Sequence, residues 1–144
     1  MIRLADTSDY KRISKIFQLN TPKYFATDEL QDFEKFLTNQ PQHYFIIESN
    51  GTVAGSGGFN LKNDGRVASL VWDLVDPKLH RKGLGSQLVA HRLSELKKMP
   101  SLKVIDIRTS TMSYKFYERF GFKTVNYQSD FWAEGMDLYE MELG

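Results

Sequence analysis

The hydrophobic positions in the first third of the chain repeat every three or four residues. A short apolar segment at residues 2–5 predicts a first strand, and residues 7–19 predict a helix with Thr7 or Ser8 at its N-cap. Residues 27–37 predict a second amphipathic helix, whose acidic side chains form mostly a solvated face. The chain therefore begins with a strand and two helices.

The middle of the chain changes to the shorter period of strands. Three apolar or alternating segments, at residues 43–49, 52–59 and 66–75, predict strands. Asn50-Gly51 separates the first two, and this dipeptide favours the positive backbone angles of a two-residue hairpin turn. We therefore expect an antiparallel meander.

The last part of the chain mixes both periods. The predicted elements are a helix over residues 83–98, a strand over 103–108, a helix over 112–120, and strands over 122–127 and 136–143. This order predicts a mixed α/β sheet with helices on both faces. A length of 144 residues fits one domain, 1–144.

Composition excludes several classes of function. With 19 Lys and Arg against 18 Asp and Glu, the net charge is +1, which gives no reason to expect nucleic-acid binding. The absence of cysteine excludes disulfides and a thiol nucleophile, and the three histidines lack metal-ligand spacing, so no metal is expected. No apolar run approaches the roughly 20 residues that span a bilayer, so no membrane contact and a cytoplasmic location are expected.

Two glycines follow a basic run at the start of the third predicted helix. Gly83 and Gly85 come directly after His80, Arg81 and Lys82. The unpaired N–H groups of a helix's first turn attract phosphate, and nearby positive charge strengthens that attraction. The segment therefore favours a phosphorylated cofactor. The alternative is that the glycines permit close packing of the helix on the sheet and the basic side chains are only solvated.

Two well-known phosphate motifs do not fit this segment. A P-loop requires Lys-Ser/Thr after its second glycine, whereas Ser86-Gln87 follow here. A dinucleotide fingerprint requires a third small residue at the position of Leu88.

The segment "LVDPKLHRKGLG" resembles another motif, Gln/Arg-x-x-Gly-x-Gly/Ala after a strand that ends in Val-x-Pro. Val75, Pro77, Gly83 and Gly85 match with the expected spacing, and His80 stands where Gln or Arg is usual. This motif is typical of the GNAT superfamily of acyl-CoA-dependent N-acyltransferases.

A second segment, "SYKFYERFGF", is similar to the Ala-x-x-x-Tyr-x-x-x-Gly-Phe helix of the same superfamily. Ser113, Tyr117, Gly121 and Phe122 occupy its positions, and Ser110 stands where the family often has Asn. The resemblance implies an α/β (α+β) fold with a central mixed, mostly antiparallel, twisted sheet of about seven strands and helices on both faces.

The resemblance also implies acetyl-CoA (coenzyme A) as cofactor. Its pyrophosphate is expected on the amides of Arg81 to Ser86, and its pantetheine arm beside the strand that ends Asp73-Leu74-Val75, if that strand and 103–108 splay apart beyond Val75. The implied cofactor-binding residues are Leu74, Val75, His80, Arg81, Lys82, Gly83, Leu84, Gly85, Ser86, Ser110, Ser113 and Tyr114.

The family chemistry assigns roles to a few side chains. Tyr117 matches the position that donates or shares a proton with the departing thiolate, and Tyr114 is the second choice; the alternative is that Tyr117 only packs. Asp73, a carboxylate in an apolar strand, is the candidate general base, unless it lies at an edge facing solvent. Glu48 is a weaker candidate base, and His80 is favoured as a phosphate-loop residue rather than a base.

The last predicted loop, "YQSDFWAEGMD", offers a place for the acceptor. Phe131 and Trp132 lie among three carboxylates there, which suits an ammonium-bearing small molecule or peptide. The same aromatic residues would also suit covering the sheet end or a dimer contact, and a monomer or homodimer is expected. A non-catalytic acyl-CoA sensor and a general nucleotide-binding module remain as alternative functions.

Overall fold

A computed structural model describes the whole chain, residues 1–144. The strands are β1 (Ile2–Leu4), β2 (Tyr44–Ser49), β3 (Thr52–Lys62), β4 (Val67–Val75), β5 (Val104–Ser110), β6 (Lys123–Ala133) and β7 (Met136–Leu143). The helices are α1 (Tyr10–Leu19), α2 (Glu29–Thr38), α3 (Leu84–Lys97) and α4 (Tyr114–Glu118). No helix combines the length and the apolar character needed to cross a membrane.

The seven strands form one sheet in the order β1-β2-β3-β4-β5-β7-β6. Every neighbouring pair is antiparallel except β4 and β5, which run parallel. Asn50 and Gly51 both have positive φ, as expected for the hairpin turn between β2 and β3. The predicted mixed, mostly antiparallel sheet is confirmed.

Two hydrophobic cores cover the two faces of the sheet. Helix α3 packs on one face, where Phe45 and Ile47 of β2 point, and helices α1 and α2 pack on the other face, where Tyr44 and Ile46 point. Successive strand residues point to opposite faces, so β2 is buried on both sides. Helices on both faces are therefore confirmed.

The first helix starts differently from the prediction. Residues Thr7–Asp9 form a 3₁₀ turn capped by Asp6, whose backbone N–H donates to the carboxylate of Asp9 at 2.8 Å. The expectation of Thr7 or Ser8 as N-cap was wrong, because Asp6 and Asp9 form a reciprocal cap one position earlier.

Strand β6 is longer than predicted and includes the segment expected to be a loop. Phe131 and Trp132 lie in β6, which pairs with β7 up to Ala133 opposite Met136. The polar residues that suggested a loop form an irregular part of the strand between Gln128 and Ala133, where several β6 residues face few β7 residues. The fourth helix, α4, covers Tyr114–Glu118 and is shorter than the predicted residues 112–120.

Strands β4 and β5 separate earlier than expected. Their parallel pairing ends at Leu70 opposite Ile107, not beyond Val75. The cause is a bulge: the β3–β4 register shifts between Ser56 and Gly58, and Trp72 adopts φ +52°. A bulge bends and twists its strand, so the second half of β4 turns away from β5.

Candidate active site

The separation of β4 and β5 opens a cleft of about 1370 Å³. Its walls come from β4, the turn before α3, β5, α4, β6 and the segment between α1 and α2. The predicted site residues that line it are Asp73, Leu74, Val75, His80, Arg81, Gly83, Leu84, Gly85, Ser86, Ser110, Ser113, Tyr117, Phe131 and Trp132. One cleft thus brings together fourteen residues from distant parts of the sequence.

Three candidates lie outside the cleft lining. The ring of Tyr114 stacks on Tyr139, with centroids 4.0 Å apart, and does not line the cleft. Glu48 lies beside Arg3, at 3.7 Å, and the side chain of Lys82 is exposed outside the cleft lining. Lys82 still contributes its backbone N–H to the turn before α3.

The turn before α3 presents free backbone donors. Gly83 caps the helix with φ +81°, and Arg81 also has positive φ. The N–H groups from Arg81 to Ser86 donate to no backbone or side-chain acceptor of the protein. Such a row of amides at a helix N-terminus fits a pyrophosphate group, as the resemblance implied.

Gly85 has no packing reason to be glycine. A Cβ atom there would lie 3.5 Å from the nearest atom, Cζ of Phe116, and 3.8 Å from Val75, which are ordinary contact distances. Close packing of α3 on the sheet therefore does not explain this glycine. Its bare backbone leaves room for a ligand over the first turn of the helix.

A network of mostly buried polar side chains forms the floor of the cleft. The guanidinium of Arg92 donates from Nη1 to Oδ1 of Asp73 at 2.6 Å and from Nη2 to Oδ2 at 2.7 Å. It also donates to the carbonyl oxygens of Gly58 and Leu88, at 2.9 and 3.1 Å. The hydroxyl of Tyr117 donates to Oδ2 of Asp73 at 2.5 Å. Arginine, aspartate and tyrosine from α3, β4 and α4 thus form one connected network.

Two local features of the sheet make room for this network. A Cβ atom on Gly57 would lie 3.0 Å from Oδ1 of Asp73 and 3.1 Å from Cζ of Arg92, so a side chain there would crowd the ion pair. The bulge at Trp72 precedes Asp73, and the Tyr44 hydroxyl donates to the carbonyl of Trp72 at 2.7 Å. Tyr44 therefore fixes the bulge from the face of the sheet that α1 and α2 cover.

The network sets the protonation of two of its members, Arg92 and Tyr117. Burial opposes the charge of Arg92, but the neighbouring Asp73 outweighs burial and raises the Arg92 pKa, so the guanidinium stays charged. Burial and the negative charge of Asp73 raise the pKa of Tyr117 well above its ordinary value, so its hydroxyl keeps its proton. The Asp73 side chain is 19% exposed and paired, so it is not an edge residue facing solvent.

Sequence reasoning did not single out Arg92. It lies four residues after Leu88 and four before Leu96, in the stripe of α3 that packs against the sheet. Arginine is almost never fully buried unless it is paired. An arginine at this position in the apolar pattern was therefore the available sign of a buried ion pair.

The aromatic side chains of Phe131 and Trp132 already contact a cation of the protein. The guanidinium of Arg108 lies 5.0 Å from the ring centroid of Phe131 and 5.8 Å from that of Trp132. The indole N–H of Trp132 donates to the carbonyl of Thr109 at 3.2 Å. A protein cation thus already lies against the rings where the sequence suggested an acceptor ammonium. No group of three or more His, Asp or Glu side chains is arranged to hold a metal ion.

The chain resembles known acetyltransferases in sequence and in fold. The sequence model of the Acetyltransferase (GNAT) family matches residues 10–122. An N-alpha-acetyltransferase of Sulfurisphaera tokodaii is 28% identical over 97% of this chain and 90% of its own length. The ribosomal-protein-S18-alanine N-acetyltransferase of Escherichia coli has a similar structure, with a TM-score of 0.81 and 24% identity over 99% of this chain and 92% of its own.

An aminoglycoside 6′-N-acetyltransferase complexed with coenzyme A also shares the fold, with a TM-score of 0.79 and 14% identity over 99% of this chain and 96% of its own. The family match spans both motifs, from the turn before α3 to the Gly-Phe pair after α4. The chain therefore belongs to the GNAT acetyltransferase family and is an acetyltransferase.

Proposed function

We propose that the protein transfers an acetyl group from acetyl-CoA to the primary α-amine of a peptide, by direct attack while both substrates are bound. One observation carries the proposal: a single cleft connects the free amides of Arg81 to Ser86 with the hydroxyl of Tyr117. A phosphate-binding end and a proton-donating end in one cleft suit an acyl-CoA substrate and its departing thiolate.

The donor would lie along β4. The free amides before α3 would hold the pyrophosphate, and the edge of β4 that no longer pairs with β5 beyond Leu70 would bond to the amides of the pantetheine arm as to an added strand. Ser110 and Ser113 line the facing wall. Acetyl-CoA supplies the acyl thioester, and its sulfur leaves as a thiolate when the amide bond forms.

The chemistry favours an α-amine as acceptor. A lysine-like amine with a pKa of about 10.4 is roughly one part in a thousand neutral at pH 7, and deprotonating it costs roughly 4 kcal/mol. A peptide α-amine, with a pKa of about 7.7 to 8.0, costs only about 1 kcal/mol. The names of the relatives from Sulfurisphaera tokodaii and Escherichia coli, an N-alpha-acetyltransferase and a ribosomal-protein-S18-alanine N-acetyltransferase, favour the same acceptor class.

Asp73 would accept the proton that the amine loses, and Tyr117 would stabilise the departing thiolate. The amine nitrogen forms a bond to the acetyl carbon, the carbon–sulfur bond breaks, and the nitrogen loses one proton. Oδ1 of Asp73 accepts only one hydrogen bond, from Arg92, so it is free to take that proton directly or through water. Tyr117, whose pKa lies well above that of a thiol, stabilises the thiolate by hydrogen bonding until a proton equivalent to the one lost by the amine neutralises the sulfur.

The acceptor would enter between β6 and the first turn of α2. Phe131 and Trp132 line one side of this entrance, and Asp28, Glu29 and Asp32 line the other. Carboxylates there favour an approaching ammonium group. We therefore propose contacts to Phe131 and Trp132 through their edges, beside Arg108.

Mass spectrometry of peptides incubated with acetyl-CoA and the protein tests this function. Peptides with a free α-amine should gain one acetyl group, whereas the same peptides with a blocked α-amine and a free lysine should not. Binding of acetyl-CoA without transfer to peptides or small amines would support the acyl-CoA sensor instead. Equal binding of ATP or NAD would support a general nucleotide-binding module.

A further inference from the structure

We propose that Arg92 is a positioning residue for acetyl transfer, which acts through Asp73 on the hydroxyl group of Tyr117. This inference rests on the proposed function, because it assumes that Tyr117 assists the departing thiolate. It concerns a residue in the hydrophobic stripe of α3, outside both sequence motifs of the family.

Arg92 itself does not meet solvent in the cleft. Its side chain is 0% exposed, whereas that of Asp73 is 19% exposed and faces the cleft. Any influence of Arg92 on the reaction must therefore pass through the groups it holds. Those groups are Asp73 and, one hydrogen bond further, Tyr117.

The hydrogen bonds leave the Asp73 carboxylate little freedom. Two parallel bonds from one planar guanidinium fix both the position and the plane of a carboxylate. Arg92 is fixed in turn, because it also donates to the carbonyl oxygens of Gly58 on β3 and Leu88 on α3. Oδ2 of Asp73 is therefore held at one place, where it accepts the hydroxyl proton of Tyr117.

Stability alone does not explain the pair. A buried ion pair often contributes no more to folding than apolar residues of similar volume. The neighbours of Arg92 on the same face of α3 are apolar, among them Leu88 and Leu96. Moreover, a side chain at Gly57 would crowd the pair, because its Cβ atom would lie 3.0 Å from Asp73 and 3.1 Å from Arg92. The arrangement is explained if the ion pair orients the hydroxyl group of Tyr117.

The orientation has a chemical consequence. Tyr117 has a single hydroxyl proton, which points at Asp73, and this bond together with the buried ring fixes the position of its oxygen in the cleft. A thiolate that forms nearby competes with Asp73 for this proton, and the O–H turns to the sulfur once Asp73 has taken the amine proton and accepts hydrogen bonds less strongly. Without Arg92, Asp73 is free to rotate, and the hydroxyl loses its fixed position.

A double-mutant cycle separates this role from a structural one. The variants are Arg92→Lys, which keeps the charge but cannot form two parallel bonds, Tyr117→Phe, and the two combined. Arg92→Lys should lower kcat about tenfold, with acetyl-CoA affinity by calorimetry within about threefold. In the Tyr117→Phe background the same change should lower kcat by a clearly smaller factor, because only its effect on Asp73 as the base remains. Leu96→Met, in the same buried stripe, is the packing control and should keep kcat.

Equal losses of kcat in both backgrounds, or no loss in either, would overturn the inference. If Arg92→Lys does not fold, as judged by circular dichroism and thermal melting, Arg92→Met takes its place in the same cycle. An inactive parent protein would refute the proposed function. An active parent with unchanged Arg92 variants would refute only the role of Arg92.

Discussion

A methyl group on Gly85 would lie 3.5 Å from Cζ of Phe116, an ordinary contact distance. The protein therefore tolerates a side chain at this point of α3. Glycine is unfavourable in a helix compared with alanine, by up to about 1 kcal/mol. No group of the protein fills the space over Gly85, so we infer that a bound ligand occupies it.

Gly85→Leu should accordingly keep the fold and lose binding, with Gly85→Ala as its control. Unfolding of Gly85→Ala in urea should show equal or higher stability than the parent, by up to about 1 kcal/mol. Acetyl-CoA affinity, measured by calorimetry, should fall at least tenfold for Gly85→Leu, because the long side chain stands where the donor approaches the backbone, and should change little for Gly85→Ala, since the motif accepts alanine at this position. Unchanged affinity in folded Gly85→Leu would place the donor elsewhere.

Gly83→Val should block the free amides of the turn. A Cβ atom there meets nothing within 4 Å, so the fold has room for it, but φ +81° strains any other residue. Acetyl-CoA binding should therefore fall strongly, with a moderate loss of stability. Gly65→Val is the matched control, since Gly65 has φ +80°, open space and no part in the cleft. Both variants should lose similar stability, and only Gly83→Val should lose binding.

His80→Ala should weaken acetyl-CoA binding no more than about fivefold. Nε2 of His80 lies 3.0 Å from the carbonyl oxygen of Val75, and a single exposed charge contact is worth about 1 kcal/mol at most. His91→Ala, on α3 beside Phe45 and outside the cleft, is the control and should leave affinity unchanged. A hundredfold loss for His80→Ala in a titration would show that His80 carries the phosphate contact.

Asp76 should stabilise the fold in a pH-dependent way. Burial alone would raise its pKa, but the N–H of Lys78 and the guanidinium of Arg12, at 3.0 and 2.7 Å, outweigh burial and lower the pKa. Since the unfolded pKa is about 3.9, this stabilisation is complete above that pH and disappears as the pH falls through the lower folded value.

Urea unfolding of the parent and Asp76→Asn between pH 7 and pH 3 tests this dependence. The difference in stability should be largest at pH 7 and smaller at pH 3, where part of the stabilisation by Asp76 is already lost. Asp64→Asn, in the exposed turn between β3 and β4, should match the parent throughout. A difference for Asp76→Asn that is the same at both ends of the range would contradict the assignment.

The sequence predicted the parts of the site that depend on short stretches of chain. Gly83 and its free amides follow from local spacing, and Tyr117 follows from a ten-residue motif. The ion pair between Arg92 and Asp73 joins residues 19 positions apart and depends on the packing of α3 over Gly57, so no local pattern specifies it.

The same reasoning applies to the fold. Strands and helices with a clear period were predicted, but the bulge at Trp72 depends on how β3 and β4 align, and it moved the opening of the cleft from Val75 to Leu70. The polar part of β6 was predicted as a loop because its strand conformation depends on pairing with β7.

The turnover of Tyr117→Phe, compared with that of Tyr114→Phe, tests the central claim most directly. Both changes remove one hydroxyl from α4, but only Tyr117 lines the cleft and bonds to Asp73, whereas Tyr114 stacks on Tyr139. Under conditions where chemistry limits the rate, Tyr117→Phe should lower kcat at least tenfold with little change in acetyl-CoA affinity, and Tyr114→Phe should keep kcat. Full kcat for Tyr117→Phe would contradict the account, as would a loss confined to Tyr114→Phe.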